Sequence, residues 1–122
     1  MKSDFDNKQP IYQQIMDRIV VSIAKGELGL GAKIASVREL ALEFNVNPNT
    51  MQKSLGKLED MGLLYTERKS GRYVTQNRQL VEALSAQIPN KILENFVTEM
   101  VDFGIELQEI PGRVSDYIER MG

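Results

Sequence analysis

Ser36-Val37-Arg38-Glu39-Leu40-Ala41-Leu42-Glu43-Phe44-Asn45-Val46-Asn47-Pro48-Asn49-Thr50-Met51 is the stretch from which the rest of this chain can be read. Ser36 and Glu39 have the spacing of a capping box, in which each side chain bonds the other residue's backbone N–H. A helix therefore starts at Ser36, with Val37, Leu40, Ala41 and Phe44 on its buried face. It is short and ends near Phe44-Asn45. Asn45-Val46-Asn47 reads as a three-residue turn. Asn47 suits an N-cap, and Pro48 the first position of a following helix. Met51, Leu55, Leu58 and Met61 form the apolar stripe of that second helix, and Gly62 stops it. Two helices joined by a tight turn make a helix-turn-helix.

Downstream, Leu63-Leu64-Tyr65-Thr66 and Tyr73-Val74-Thr75 have strand composition and flank the polar turn Arg68-Lys69-Ser70-Gly71. A basic hairpin directly after a helix-turn-helix is a wing. Tyr65 and Tyr73 read as cross-strand packing. Upstream, Pro10 suits a first helical position. Ile11, Ile15, Ile19 and Ile23 follow at spacing four, with Tyr12, Met16 and Val20 beside them. Lys25 lies in the last turn and Gly26 is the stop. From Asn77 the strand signals vanish. Leu80, Val81, Leu84 and Ile88 repeat at helical spacing, and Pro89-Asn90 should kink or restart that helix. Ile92, Phe96, Met100 and Phe103 form one stripe beyond it, and Leu93, Val97 and Val101 a second, with Gly104 as the end. A last helix carries Leu107, Ile110, Val114, Tyr117 and Met121, with Pro111 tolerated near its first turn. The expected fold is mainly α, in the α+β class. Residues 1–77 are expected to form a winged helix-turn-helix domain, and residues 78–122 a separate helical segment.

The chain has 122 residues, 42% of them hydrophobic and 26% charged, so a core of ordinary size is available. There is no cysteine and no histidine. That excludes disulfides, thiol catalysis, histidine bases and the common zinc and iron sites. No paired carboxylate, phosphate loop or nucleophile motif is present, so an enzyme is not expected. The longest uncharged run is the nine residues Phe44 to Gln52, whereas a membrane helix needs about 20 apolar residues. Met1 to Asp6 carries acids and no apolar run, unlike a signal peptide. A cytoplasmic location is expected. Residues 1–77 hold 11 Lys+Arg and 9 Asp+Glu, and residues 78–122 hold 4 and 8. Phe44 to Leu58 and Arg68 to Arg78 contain no acid at all. Two acid-free basic segments on a near-neutral chain fit either a localised polyanion contact or a solvated face.

Several stretches resemble the GntR family of bacterial transcription regulators. They are Pro10-Ile11-Tyr12-Gln13-Gln14-Ile15, Gly26-Glu27-Leu28, Ser36-Val37-Arg38-Glu39-Leu40-Ala41, Val46-Asn47-Pro48-Asn49-Thr50 and Leu58-Glu59-Asp60-Met61-Gly62-Leu63-Leu64. Val46 to Thr50 and the short helical tail look like the YtrA subfamily. That resemblance implies a dimer joined by a two-helix C-terminal segment, often controlling transporter genes. Three positions depart from the family pattern. Leu30 and Ala35 stand where prolines are usual, which affects loop rigidity. The wing has the single glycine Gly71, which bears on how deeply its tip enters a minor groove.

The resemblance implies that Arg38 contacts DNA. Ser36 caps its helix and can also offer that helix N-terminus to a phosphate. Asn47, Asn49, Thr50, Gln52 and Lys53 open the recognition helix, whose N-terminal residues face base edges. Asn and Gln can pair bidentately with adenine, and Lys with guanine or phosphate. Lys69, Ser70, Gly71 and Arg72 form the wing tip, placed to follow a phosphate backbone or reach a minor groove. For the tail, Leu84, Phe96, Val97, Met100, Val101, Val114 and Ile118 are the expected dimer contacts, because two apolar stripes need more than one neighbour. The expected protein is a homodimeric repressor on a pseudo-palindromic DNA operator, without cofactor or metal and with no effector named by the sequence. The alternatives are an effector-independent DNA-binding accessory factor and a protein-interaction adaptor.

Overall fold

The computed structural model describes residues 9–122, so the reading of Met1 to Asp6 lies outside them. In chain order the elements are α1 (Ile11–Ala24), α2 (Val37–Phe44), α3 (Pro48–Asp60), β1 (Leu64–Glu67), β2 (Gly71–Val74), α4 (Arg78–Asp102) and α5 (Ile110–Met121). A single 3-10 turn, Leu107–Glu109, precedes α5. These elements form two compact units, one running to Ser85 and the other Ala86–Gly122, so the division falls inside α4.

Local chemistry explains the boundaries. Pro10 is the N-cap of α1 and not its first residue. Its fixed φ starts the helix, while its extended ψ keeps it outside. The capping box at α2 is complete: Glu39 N–H donates to Ser36 Oγ at 3.1 Å, and Ser36 N–H to Glu39 Oε1 at 3.2 Å. Asn45 ends α2 in the left-handed region, with φ 56°, which an asparagine tolerates. Asn47 Oδ1 accepts from Asn49 N–H at 2.7 Å and Pro48 opens α3. Asn77 does the same for α4, accepting from Leu80 N–H at 3.1 Å.

Ile15, Ile19, Phe44, Met51, Leu55, Leu58, Leu63, Leu64 and Val74 make the centre of the first unit, all buried. Met61 is exposed and so leaves the stripe expected for α3. It is the C-cap, where the chain is already turning toward Gly62 at φ 82°. Ile11 is exposed as well, being the first residue of α1.

The wing is an antiparallel hairpin, with Leu64 opposite Val74, Tyr65 opposite Tyr73 and Glu67 opposite Gly71. Gly71 therefore pairs in β2, and only Arg68-Lys69-Ser70 remain as the loop. Thr75 falls just outside the strand. Tyr65 and Tyr73 stack with ring centroids 5.7 Å apart. On its other side β2 meets an element that the sequence did not signal. Ile34 N–H donates to the Arg72 carbonyl at 3.0 Å, and Val74 N–H to the Ala32 carbonyl at 2.8 Å. Lys33 thereby pairs with Tyr73.

No restart occurs at Pro89: α4 is assigned as one helix through it. Proline removes a single donor, the one that would reach the Ser85 carbonyl, and the bonds of neighbouring residues carry the helix on. Pro111 lies in the first turn of α5, as its missing N–H allows.

Candidate nucleic-acid interface

The capped N-terminus of α3 places its polar residues outward. Asn47, Asn49, Gln52 and Lys53 are exposed and Thr50 is half-buried, while Met51, Ser54, Leu55 and Leu58 are buried on the opposite side. Ser54 is turned inward and bonds backbone twice. Its Oγ donates toward the Tyr12 carbonyl at 3.1 Å and lies 3.0 Å from the Thr50 carbonyl. This joins α1 to the first turns of α3 and fixes the roll of the outward face. Ser36 and Arg38 are exposed at the start of α2. Bonding to the Ser36 backbone, then to its hydroxyl, holds the Glu39 carboxyl below its ordinary pKa, because both bonds favour the ionised form.

The wing divides the residues expected at its tip. Lys69 and Ser70 are exposed in the loop. Lys69 holds φ 68°, a strained conformation for a side-chain-bearing residue. The Ser70 hydroxyl bonds the Tyr73 hydroxyl, tying the loop to its strand. Gly71 holds φ 131°, which side-chain-bearing residues rarely adopt, and a Cβ there would also have to push aside the flexible end of Lys33, whose Cε would lie 2.8 Å away. Arg72 does not join the outward group. Its side chain is 17% exposed and its Nη2 donates to Glu59 Oε2 at 3.1 Å. The buried Arg72 Nε has no hydrogen-bond partner among the described residues. The same Glu59 accepts from the Thr66 hydroxyl. Arg72 and Glu59 thus pin the hairpin to α3. Lys33, exposed beside Gly71, is a wing cation that sequence reading missed. Its link to the wing is a long-range strand pairing, for which the local sequence gives no signal.

Glu59 makes a pH prediction. The Thr66 hydroxyl holds its carboxyl below the ordinary value; burial opposes this, and Arg72 lowers it further. A depressed carboxyl pKa contributes stability above the unfolded pKa, and that contribution is lost as pH falls through the folded one. Glu59→Gln is expected to lower stability by about 1 kcal/mol at pH 7, a modest figure because the pair is partly exposed. In thermal melts taken downward from pH 7, the gap to the unmodified chain should close in acid. A gap that persists unchanged at pH 3 would refute the role of the carboxylate.

In Ala86–Gly122 the geometry is different. Ile110 is its one buried apolar side chain among the described residues, while Ile92, Leu93, Phe103, Leu107, Tyr117, Ile118 and Met121 are each more than half exposed. Phe96, Val97, Val114 and Ile118 come together with Leu93, Ile110 and Pro111 along a groove of about 500 Å³. Met100 is half-buried and Val101 exposed, both outside that lining. Leu84 is half-buried and belongs to the first unit, apart from the other residues expected at a dimer contact. No helix of the described residues is long and apolar enough to cross a membrane.

A helix-turn-helix with a braced hairpin wing and an outward row of amides, hydroxyl and lysine defines a DNA-binding transcription regulator of the winged helix-turn-helix class. The chain belongs to the GntR family of bacterial regulatory proteins, whose pattern matches residues 11–74. It is 33% identical over 119 residues to the HTH-type transcriptional regulator YhcF of Bacillus subtilis, covering 98% of both chains. It is 35% identical over 103 residues to the HTH-type transcriptional repressor YtrA of the same organism, covering 83% of this chain and 78% of that one. Among solved structures, a GntR family transcriptional regulator from Listeria monocytogenes superimposes with a TM-score of 0.73. The two are 38% identical over 92% of this chain and 98% of that one. AraR(DBD) in complex with operator ORX1 matches with a TM-score of 0.55 and 29% identity, over 62% of this chain and 95% of that one.

Proposed function

We propose that the protein is a homodimeric repressor. Two copies joined through Ala86–Gly122 would place their α3 helices and wings on the half-sites of a pseudo-palindromic operator and exclude the transcription machinery by occupancy. The observation that carries the dimer is the apolar surface of Ala86–Gly122, where large side chains of α4 and α5 stand exposed in a single chain. Large exposed apolar side chains gathered along a groove mark an interaction site, and a two-fold partner can cover the same surface on both copies. The similarity to YtrA supports repression. The similarity to AraR(DBD) with its operator supports an operator as the DNA partner. Sedimentation, followed by titration with genomic fragments selected by the protein, tests both parts. A dimer that binds one class of symmetric fragment is expected. A monomer, or binding without sequence preference, would overturn the proposal.

Within that reading Arg38 supplies a backbone contact. It is exposed at the first turn of α2, beyond the apolar face. Arg38→Ala should leave the melting temperature in place and weaken operator binding. The slope of log K against log salt should flatten by about 0.9 for each copy bound, about 1.8 for the dimer. An unchanged slope would remove Arg38 from the interface.

A further inference from the structure

Lys53 and Lys57 lie one turn apart on α3, and both ammonium groups rest on one aromatic ring from α1. Lys53 Nζ is 4.0 Å from the centroid of Tyr12 and Lys57 Nζ is 5.4 Å from it. Among the described residues neither lysine has a carboxylate at ion-pair distance. Like charges four residues apart on a helix repel. An aromatic face attracts both, so the ring gathers two cations that would otherwise spread into solvent. The ring has a firm base. Tyr12 is half-buried, and its own carbonyl is bonded by the buried Ser54 hydroxyl of α3. At about 100° per residue, Lys53 and Lys57 lie to one side of Asn49, with Gln52 on the other. The pair therefore flanks the base-reading residues of α3.

We propose that Tyr12, Lys53 and Lys57 form a phosphate clamp beside the recognition helix, with Tyr12 as the positioning residue that holds both ammonium groups. The proposal rests on α3 being the helix that enters the groove. It makes Lys53 a source of affinity and not of base choice, and it adds Lys57, which lies too far along α3 for the base edges met by its first turn. Two ammonium groups on a common ring present charge to adjoining phosphate oxygens, which carry no sequence information.

The experiment titrates the full chain with two duplexes of equal length, a genomic fragment selected by the protein and a random sequence, over a series of salt concentrations. The variants are Lys57→Gln, Tyr12→Phe, Tyr12→Leu, and Lys53→Gln with Lys57→Gln in the presence and absence of Tyr12→Leu. Lys57→Gln alters an exposed side chain, so folding is not at stake in that arm. It should weaken both duplexes by the same factor and flatten the salt slope by about 0.9 for each copy bound, about 1.8 for the dimer. Tyr12→Leu removes the ring that holds both ammonium groups in place and should weaken both duplexes by at most roughly 2- to 5-fold for each lysine, the worth of one such contact being the upper bound on the positioning it supplies. Tyr12→Phe keeps the ring and should bind like the unmodified chain. In the background lacking both lysines, Tyr12→Leu should have no further effect. An unchanged slope for Lys57→Gln, or an equal loss from Tyr12→Leu with and without the lysines, overturns the clamp while leaving α3 as the reading helix. Absence of salt-dependent duplex binding by the unmodified chain would instead overturn the reading beneath it.

Discussion

Ile118→Asp is expected to turn the protein into a monomer and to weaken operator binding by roughly 10²–10⁴, the avidity gained by linking two modules. Ile118 lines the groove between α4 and α5 with Phe96, Val97 and Val114, yet the residue is 58% exposed in one chain. An aspartate there meets water in the monomer and costs the monomer little. In a dimer built on this surface it would lie buried without a partner, which is strongly unfavourable. The first unit has its own core, so its melting transition should survive. Sedimentation beside operator titration reads both effects. A variant that stays dimeric, or a monomer that binds the operator with undiminished affinity, would refute this role for Ala86–Gly122.

The second large effect is on sequence choice. Asn49→Ala combined with Gln52→Ala should erase much of the preference for operator over random duplex, each good base pairing being worth roughly 1–3 kcal/mol of discrimination. Both side chains are exposed near the start of α3. The Asn49 N–H is already bonded by Asn47, so its amide is not needed for the cap. Random-duplex binding should change little, because the cations at Arg38, Lys53 and Lys69 remain. Competition titrations with the two duplexes measure the ratio. An equal loss on both would show that these amides only position the backbone. Together with the lysine variants this measures sequence preference at the amides separately from affinity at the charged residues.

Parts of this protein are local enough to be legible without coordinates. The Ser36–Glu39 capping box, the Asn45 turn, the Asn47-Pro48 start of α3 and the Tyr65–Tyr73 pair involve near neighbours or a short hairpin, and each forms as its residue types demand. The apolar stripes of α1 and α3 could be read for the same reason, since 3.6-residue periodicity reports which face is buried. At the ends of those stripes, Ile11 and Met61, periodicity overreached, because terminal residues leave the core even when their type would fill it.

Arg72 shows where such reading stops. Its place after Gly71 suggests a wing tip, but which way a strand residue points depends on register. The observed pairing of Thr66 with Arg72 brings the guanidinium to Glu59, thirteen residues away on α3. Lys33 reaches the wing through pairing with Tyr73, and Tyr12 meets Lys53 and Lys57 because α1 packs on α3. Capping, turn chemistry and periodicity act over a few residues, so the order of secondary elements and the outward face of α3 follow from composition and spacing alone. Which cation faces outward, which one braces the wing and which pair shares an aromatic ring are set by contacts across many residues, and those exist only once the helices and hairpin have closed on a common core.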